Sequence, residues 1–415
     1  MTHLADAALL RLTLARACAW ALLVAGWVGI GSFALQFAPS VSFGFALVAL
    51  WLVALGGAAT VATRGGIRRG TRALALCVGA AITGVGLSWS VHGGGVGAVL
   101  LALVGWAALT ALASGVVRSL RLAQAAAPAP PVAAASLGAL CAALALGDLG
   151  DLPALAIRLT IFVAATAALL VLLQRRIDEG LRAPGCRAGL FDCSLPAWPA
   201  GAWREPRQWP MLLAGLAMLP MMAALPLMAA WCSAQRVAPQ AMVLLHLAAM
   251  FGPPLVLRAT VARWSPRTLS AACTLLLAAG AACASWAAAP LDLLGLAVTH
   301  GAAWGLAWSG QLWAPARRGR QGASPLRAAA GYAVLTLAFG LVVEHFGVRG
   351  VTAMHAALGL AAVLAWLLAR AANPWSRTMT QRPRSSAPAA GPPARHGGAV
   401  AVNESSLPAG SPPPA

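Results

Sequence analysis

Twelve apolar stretches, each about long enough to cross a bilayer, follow one another from Leu9 to about Arg370. A helix needs about 20 apolar residues to cross the hydrocarbon core. Lipid offers the backbone no hydrogen-bond partner, so only helices or closed barrels can span it. Stretches of this length fit helices, and they constrain the chain to an all-α integral membrane protein. Composition agrees. The chain is 60% hydrophobic and 9% charged, against about 25% charged residues in a soluble domain.

The stretches read as Leu9–Phe37, Val41–Thr63, Ala73–His92, Val96–Val117, Ala125–Gly147 and Pro153–Gln174, then Met211–Cys232, Pro239–Leu257, Leu269–Ala288, Leu293–Trp313, Leu326–Glu344 and Gly350–Ala369. Residues Met1 to Ala8 are polar and carry no basic n-region, so the first stretch is expected to remain as a span. A longer polar segment interrupts after the sixth. The resulting plan is an N-terminal six-helix bundle (1–174), a central loop (175–210), a C-terminal six-helix bundle (211–372) and a tail (373–415). The tail is rich in Pro, Ala, Ser and Gly and is expected to be disordered.

All 29 basic residues are arginine. All but Arg158, Arg236 and Arg349 fall on one side of this plan. Positive loops stay in the cytoplasm, so both termini and the central loop are expected there, in a bacterial inner (plasma) membrane. The net charge of +19 is a topology signal, not a nucleic-acid footprint, because the arginines cap helix ends and do not line one face. Loops on the opposite side are only a few residues long, too short to hold an enzyme's active site. Of the eight cysteines, six lie in or beside spans as small hydrophobes. Cys186 and Cys193 share the central loop at a spacing that fits no zinc pattern. No metal and no cofactor is expected.

The turn after the second span reads Gly56-Gly-Ala-Ala-Thr-Val-Ala-Thr-Arg64-Gly-Gly66-Ile-Arg68-Arg-Gly70. Its counterpart after the eighth reads Arg258-Ala-Thr-Val-Ala-Arg263-Trp-Ser-Pro-Arg267. With six-plus-six spans, these segments resemble the major facilitator superfamily of secondary transporters, as a divergent member. Arg64, Gly66 and Arg68 look like the Arg, Gly and Arg of that family's turn motif, although Thr63 stands where its Asp is expected. Arg263 and Arg267 match the pseudo-repeat. The resemblance implies that these five residues act in gating and that the first, fourth, seventh and tenth spans border a central cavity.

Polar groups inside a membrane are costly and mark solute or ion paths. On the tenth stretch His300, Trp304, Trp308 and Gln311 step by four, four and three residues, so they share a helix face. That face is either a cavity wall or a polar seam packed on a neighbouring helix. His246 lies inside the eighth span, as a core histidine or as a proton relay. Gln36 ends the first span near the cavity's outer mouth. Met222, with Met218 and Met221, offers either an adaptable apolar wall or gap-filling packing. Arg158 enters the sixth span close to Asp148 and Asp151, where pairing or snorkelling is expected. No Asp or Glu occupies the middle of any span.

The expected function is secondary transport of a small, neutral or amphipathic solute by alternating access, with a proton or ion as the coupling partner. The protein is expected to work as a monomer in the lipid bilayer, to bind no nucleic acid and not to be an enzyme. Two alternatives remain: a non-transporting receptor or assembly factor on a transporter fold, and a membrane-embedded transferase.

Overall fold

A computed structural model describes residues 2–64, 69–123, 131–174, 208–234, 238–256, 260, 263–286, 291–313 and 325–371. The central loop from 175 to 207, the tail after Ala371, Gly66 and Arg68 lie outside them. Among the described residues there are eleven α-helices, one π-helical turn and no strand. The helices are α1 (Thr2–Phe37), α2 (Val41–Arg64), α3 (Arg69–Trp89), α4 (Gly95–Ala123), α5 (Pro131–Leu146), α6 (Leu152–Gln174), α7 (Trp209–Ala234), α8 (Pro239–Val256), α9 (Pro266–Trp286), α10 (Leu291–Trp313) and α11 (Pro325–Ala371).

Two junctions differ from the expected loops. Between α3 and α4 the chain makes a π-helical turn, Ser90–Gly94, and the apolar run Gly70–Val117 is 48 residues long. As one rod it would reach about 72 Å at 1.5 Å per residue, more than twice the hydrocarbon thickness. The rod is broken at His92 (φ −105°, ψ 22°) and Gly93 (φ 101°), and α3 and α4 pack on each other. The expected turn from Glu344 to Arg349 is instead helical, broken at one residue, Gly347 (φ 56°, ψ −144°). That conformation is open to glycine and strained for other residues. It divides α11 into rods 325–346 and 348–371, and both are apolar enough to span. In all, seven described stretches are long and apolar enough to cross a membrane. Apolar segments of α5 and α8, Ala133–Leu146 and Gln240–Val256, are shorter. α5 is described from Pro131, and residues 125–130 of the expected span lie outside the described residues.

Residues 1–371 form one compact unit. α1 packs on α2, α4, α5 and α6, and α3 packs on α4 and α6. α7 packs on α8, α9, α10 and α11; α10 also packs on α8 and α9. The two sets meet most extensively at three pairs: α2 with α11, α1 with α7, and α5 with α8. α1 is central, with 94% of its most apolar window buried, against 28% for the second rod of α11. The latter shows Leu360, Leu364 and Leu368 on its surface, as lipid-facing helices do.

Between apolar helices in lipid there is little hydrophobic drive, so close packing and internal hydrogen bonds hold them together. A Cβ at Gly138 of α5 would collide with the Ala17 carbonyl of α1, and one at Gly305 of α10 with the Met250 carbonyl of α8. Both contacts therefore need the missing side chain. Trp106 of α4 donates its indole N–H to the Leu22 carbonyl of α1 at 2.8 Å, fully buried. Several buried hydroxyls bond within their own helix, as Thr83 does to the Gly79 carbonyl (2.7 Å) and Ser309 to the Gly305 carbonyl (2.8 Å). Arg158 donates to the carbonyls of Leu146 and Asp148 at 3.2 and 2.8 Å. It thus caps the C-terminal end of α5, where unpaired carbonyls concentrate partial negative charge, by a backbone contact in place of the expected carboxylate.

Candidate functional site

The arginines make one end of the unit recognisable; the other end is called here the opposite end. From the opposite end, His246 is the eighth residue of α8, His300 the tenth of α10, and His355 the eighth after the Gly347 break. At 1.5 Å per residue each lies roughly 12–15 Å deep. All three are buried. The His300 and His355 rings meet edge to face, with centroids 4.9 Å apart. His246 packs on α10 beside His300, where a Cβ at Gly301 would meet its backbone carbonyl and its Nδ1. Neither ring nitrogen of His300 completes a hydrogen bond. His246 Nδ1 donates to the Ala297 carbonyl at 2.8 Å, and His355 Nδ1 to the Val351 carbonyl at 2.7 Å. Their Nε2 atoms are buried without partners.

One to two turns toward the arginine-rich end, α10 presents Trp304 and Trp308, stacked at 5.6 Å and 10°. Trp20 of α1 meets Trp308 at 5.2 Å, Trp304 at 6.3 Å and Phe251 of α8 at 5.6 Å, each edge to face. Phe251 in turn meets both tryptophans of α10. All four rings are buried. Centroids between 4.5 and 7 Å with edge-to-face geometry are the favoured arrangement for aromatic pairs. This cluster therefore joins α1 to α8 and α10. The Trp304 indole N–H has no partner.

Toward the opposite end, α2 and the first rod of α11 are clasped. Phe45 and Phe339 pack at 5.6 Å, and a Cβ at Gly340 would strike Phe45. The Ser42 N–H donates to a Glu344 carboxylate oxygen at 2.7 Å. A carboxylate at the first turn of a helix is well placed against its dipole. Trp27 of α1 and Trp51 of α2 pack at 5.5 Å with both indole N–H groups buried and unpartnered.

The spacing that predicts a shared face on α10 is realised for His300, Trp304 and Trp308. Gln311 falls in the last turn of α10, with its side chain outside the described residues. His246 belongs with the same cluster. Met222, Met218 and Met221 are buried in the core of α7. Gln36 is exposed in the last turn of α1, away from these clusters. Arg263 stands exposed in a turn, its N–H bonded to the Thr260 carbonyl at 3.0 Å, and Arg267 is exposed in the first turn of α9. Arg64 ends α2, with its side chain outside the described residues, as are Gly66 and Arg68. His355, Trp20 and Phe251 were missed by sequence reasoning. Only His355 carried a signal, as an ionisable residue inside an apolar span.

The sequence matches no family profile and no curated protein. Solved structures do match in fold. The nucleoside transporter NupG is 16% identical, with TM-score 0.57, over 88% of this chain and 98% of that one. The xylose transporter XylE from E. coli, in a partially occluded inward-open conformation, is 15% identical, with TM-score 0.55, over 89% of this chain and 98% of that one. The chain thus shares the all-helical fold of these two transporters over nearly its whole length.

Proposed function

We propose that this protein is a secondary transporter that moves a small solute across a bacterial inner membrane by alternating access. Residues 1–174 and 211–372 act as two six-helix halves with both termini cytoplasmic, so the arginine-rich end faces the cytoplasm. The observation that carries this reading is the set of buried nitrogens without partners near mid-depth. His300, Trp304 and the Nε2 atoms of His246 and His355 sit in a membrane interior with nothing to bond. An unmade hydrogen bond there is costly, and a solute that supplies donors and acceptors would make it good. The rings of Trp304 and Trp308 offer an apolar face beside these nitrogens. No carboxylate or arginine is described among them, which suits a neutral solute carrying hydroxyl or amide groups and a flat or apolar side. The two fold neighbours transport nucleosides and xylose, neutral molecules of this kind. Thr63 and the unmatched motif Asp leave Arg64, Gly66, Arg68, Arg263 and Arg267 as gating residues of a divergent turn.

The test is flux. The purified protein is screened for thermal stabilisation against neutral nucleosides, pentoses, hexoses and small amides, because a ligand that favours the folded state raises its stability. Compounds that stabilise it are then offered, radiolabelled, to proteoliposomes. Saturable uptake with counterflow is expected. A compound that binds but never crosses identifies a receptor on a transporter fold, and a covalently altered product identifies a transferase.

A further inference from the structure

We infer that His246, His300 and His355 form one shared proton site, and that the proton held there is the ion coupled to solute movement; the second half of this inference rests on the transport reading above. The argument begins with tautomers. A carbonyl oxygen can only accept, so His246 Nδ1 at Ala297 and His355 Nδ1 at Val351 must each carry the hydrogen. In the neutral state both Nε2 atoms are then bare lone pairs, and both are buried with no donor to occupy them. His300 is in ring contact with His355 and lies on the stretch of α10, Ala297 to Gly301, that His246 packs against, and neither of its nitrogens is committed. His300 can therefore take either tautomer, accepting a proton on one nitrogen and releasing it from the other. Two fixed bases beside an uncommitted one make a relay without any solute present.

The charged groups around the cluster leave this role to the histidines. Among the described residues, α7 contributes no ionisable side chain at this depth and α8 contributes only His246. α9 offers two thiols, Cys273, which faces the Ala303 carbonyl of α10 at 3.4 Å, and Cys283, which packs against Gly295 of α10, and α11 offers Tyr332. α2, which lies against α11, carries no ionisable side chain before Arg64 at its far end. Asp292, Glu344 and the arginines of α9 and α11 sit at helix ends. Binding one proton takes the cluster from neutral to a single positive charge spread over three rings. A second proton would place like charges at ring-contact distance in a low-dielectric interior, which opposes it. Each cycle therefore takes up one proton on an Nε2 lone pair from water on one side and returns it to water on the other.

The experiment uses the full chain in lipid nanodiscs. His3, His92, His345 and His396 are replaced by Gln, which leaves the three cluster imidazoles as the sole histidines. With ring nitrogens labelled by 15N, spectra are followed from alkaline to acid pH. The expected result is two bare Nε2 signals that move together toward the protonated position as a single equivalent binds. His300→Gln should shift the titration midpoints of both remaining histidines, and His300→Asn serves if the glutamine variant does not fold. Spin labels at Leu10→Cys and Val256→Cys report the arginine-rich end; their distance distribution should respond to the same pH range, and His300→Gln should abolish that response. Bare signals that persist until the protein unfolds, or three rings that titrate independently, overturn the shared site. A normal titration with no response of the spin-label distances overturns the coupling. Flux without titration removes the proton site alone, whereas titration without flux removes the transporter reading and leaves the proton site standing.

Discussion

At the scale of single residues, an uncharged, fully paired hydrogen bond is the simplest test of the packing. Trp106 is fully buried and its N–H reaches the Leu22 carbonyl, with its ring filling the space that Gly26 leaves open. Trp106→Phe should lower the stability of the purified protein by about 1 kcal/mol, the usual cost of a lost interhelical hydrogen bond plus some lost contact. Thermal unfolding in detergent measures it, and an unchanged melting temperature would mean that the α1–α4 seam does not depend on this bond. The same scale shows what the sequence could and could not reveal. His300, Trp304 and Trp308 repeat at helical spacing, so their common face is legible from the chain. Their partners are not. Trp20 and Phe251 are separated from α10 by long stretches of sequence, and each sits in a largely apolar part of its helix. With no polar face for contrast, nothing in those stretches says which side turns inward. His355 was legible in principle, because an ionisable residue inside a span is costly wherever it faces.

At the scale of elements, helix existence follows from apolar length, and helix ends follow from backbone chemistry that hydropathy ignores. The junction in α11 is the clearest case. Glu344 to Arg349 contains charged and polar residues and reads as a loop, yet the helix continues to both sides of one glycine. A single residue at positive φ is enough to divide the rod, so the polar residues need no loop of their own. Gly347→Ala should cost roughly 1–3 kcal/mol, the penalty for placing a side chain in that backbone region. Gly331 provides the control: it lies within the first rod, and a Cβ there meets nothing within 4 Å. Gly331→Ala should be neutral or stabilising by up to about 1 kcal/mol, because alanine is the better helix former. Comparing the two melting temperatures separates backbone strain from the mere loss of a glycine. Equal effects would show that the break is not held by the residue at 347.

At the scale of the whole molecule, two of the contacts between the first six helices and the rest lie toward opposite ends. Toward the arginine-rich end, Trp20 sits among Phe251, Trp304 and Trp308; toward the other, Phe45 and the Ser42 N–H meet Phe339 and Glu344. If the halves rock, removing one contact should favour the state open at that end. Trp20 makes three aromatic contacts, each worth about 0.5–1.5 kcal/mol beyond its buried area. Trp20→Leu should therefore shift the closed-to-open ratio by at least about tenfold, which corresponds to about 1.4 kcal/mol. Spin labels at Leu10→Cys on α1 and Val256→Cys on α8, both exposed positions, should then report longer distances. Trp27→Leu is the counterpart that decides the interpretation. Trp27 packs on Trp51, and both belong to the first set of helices. Its loss removes comparable aromatic surface without touching the four-ring cluster. It should lower the melting temperature and leave the Leu10–Val256 distances as they are. Longer distances in both variants would mean general loosening of the bundle. Longer distances in Trp20→Leu alone would assign the four-ring cluster to closure of the arginine-rich end.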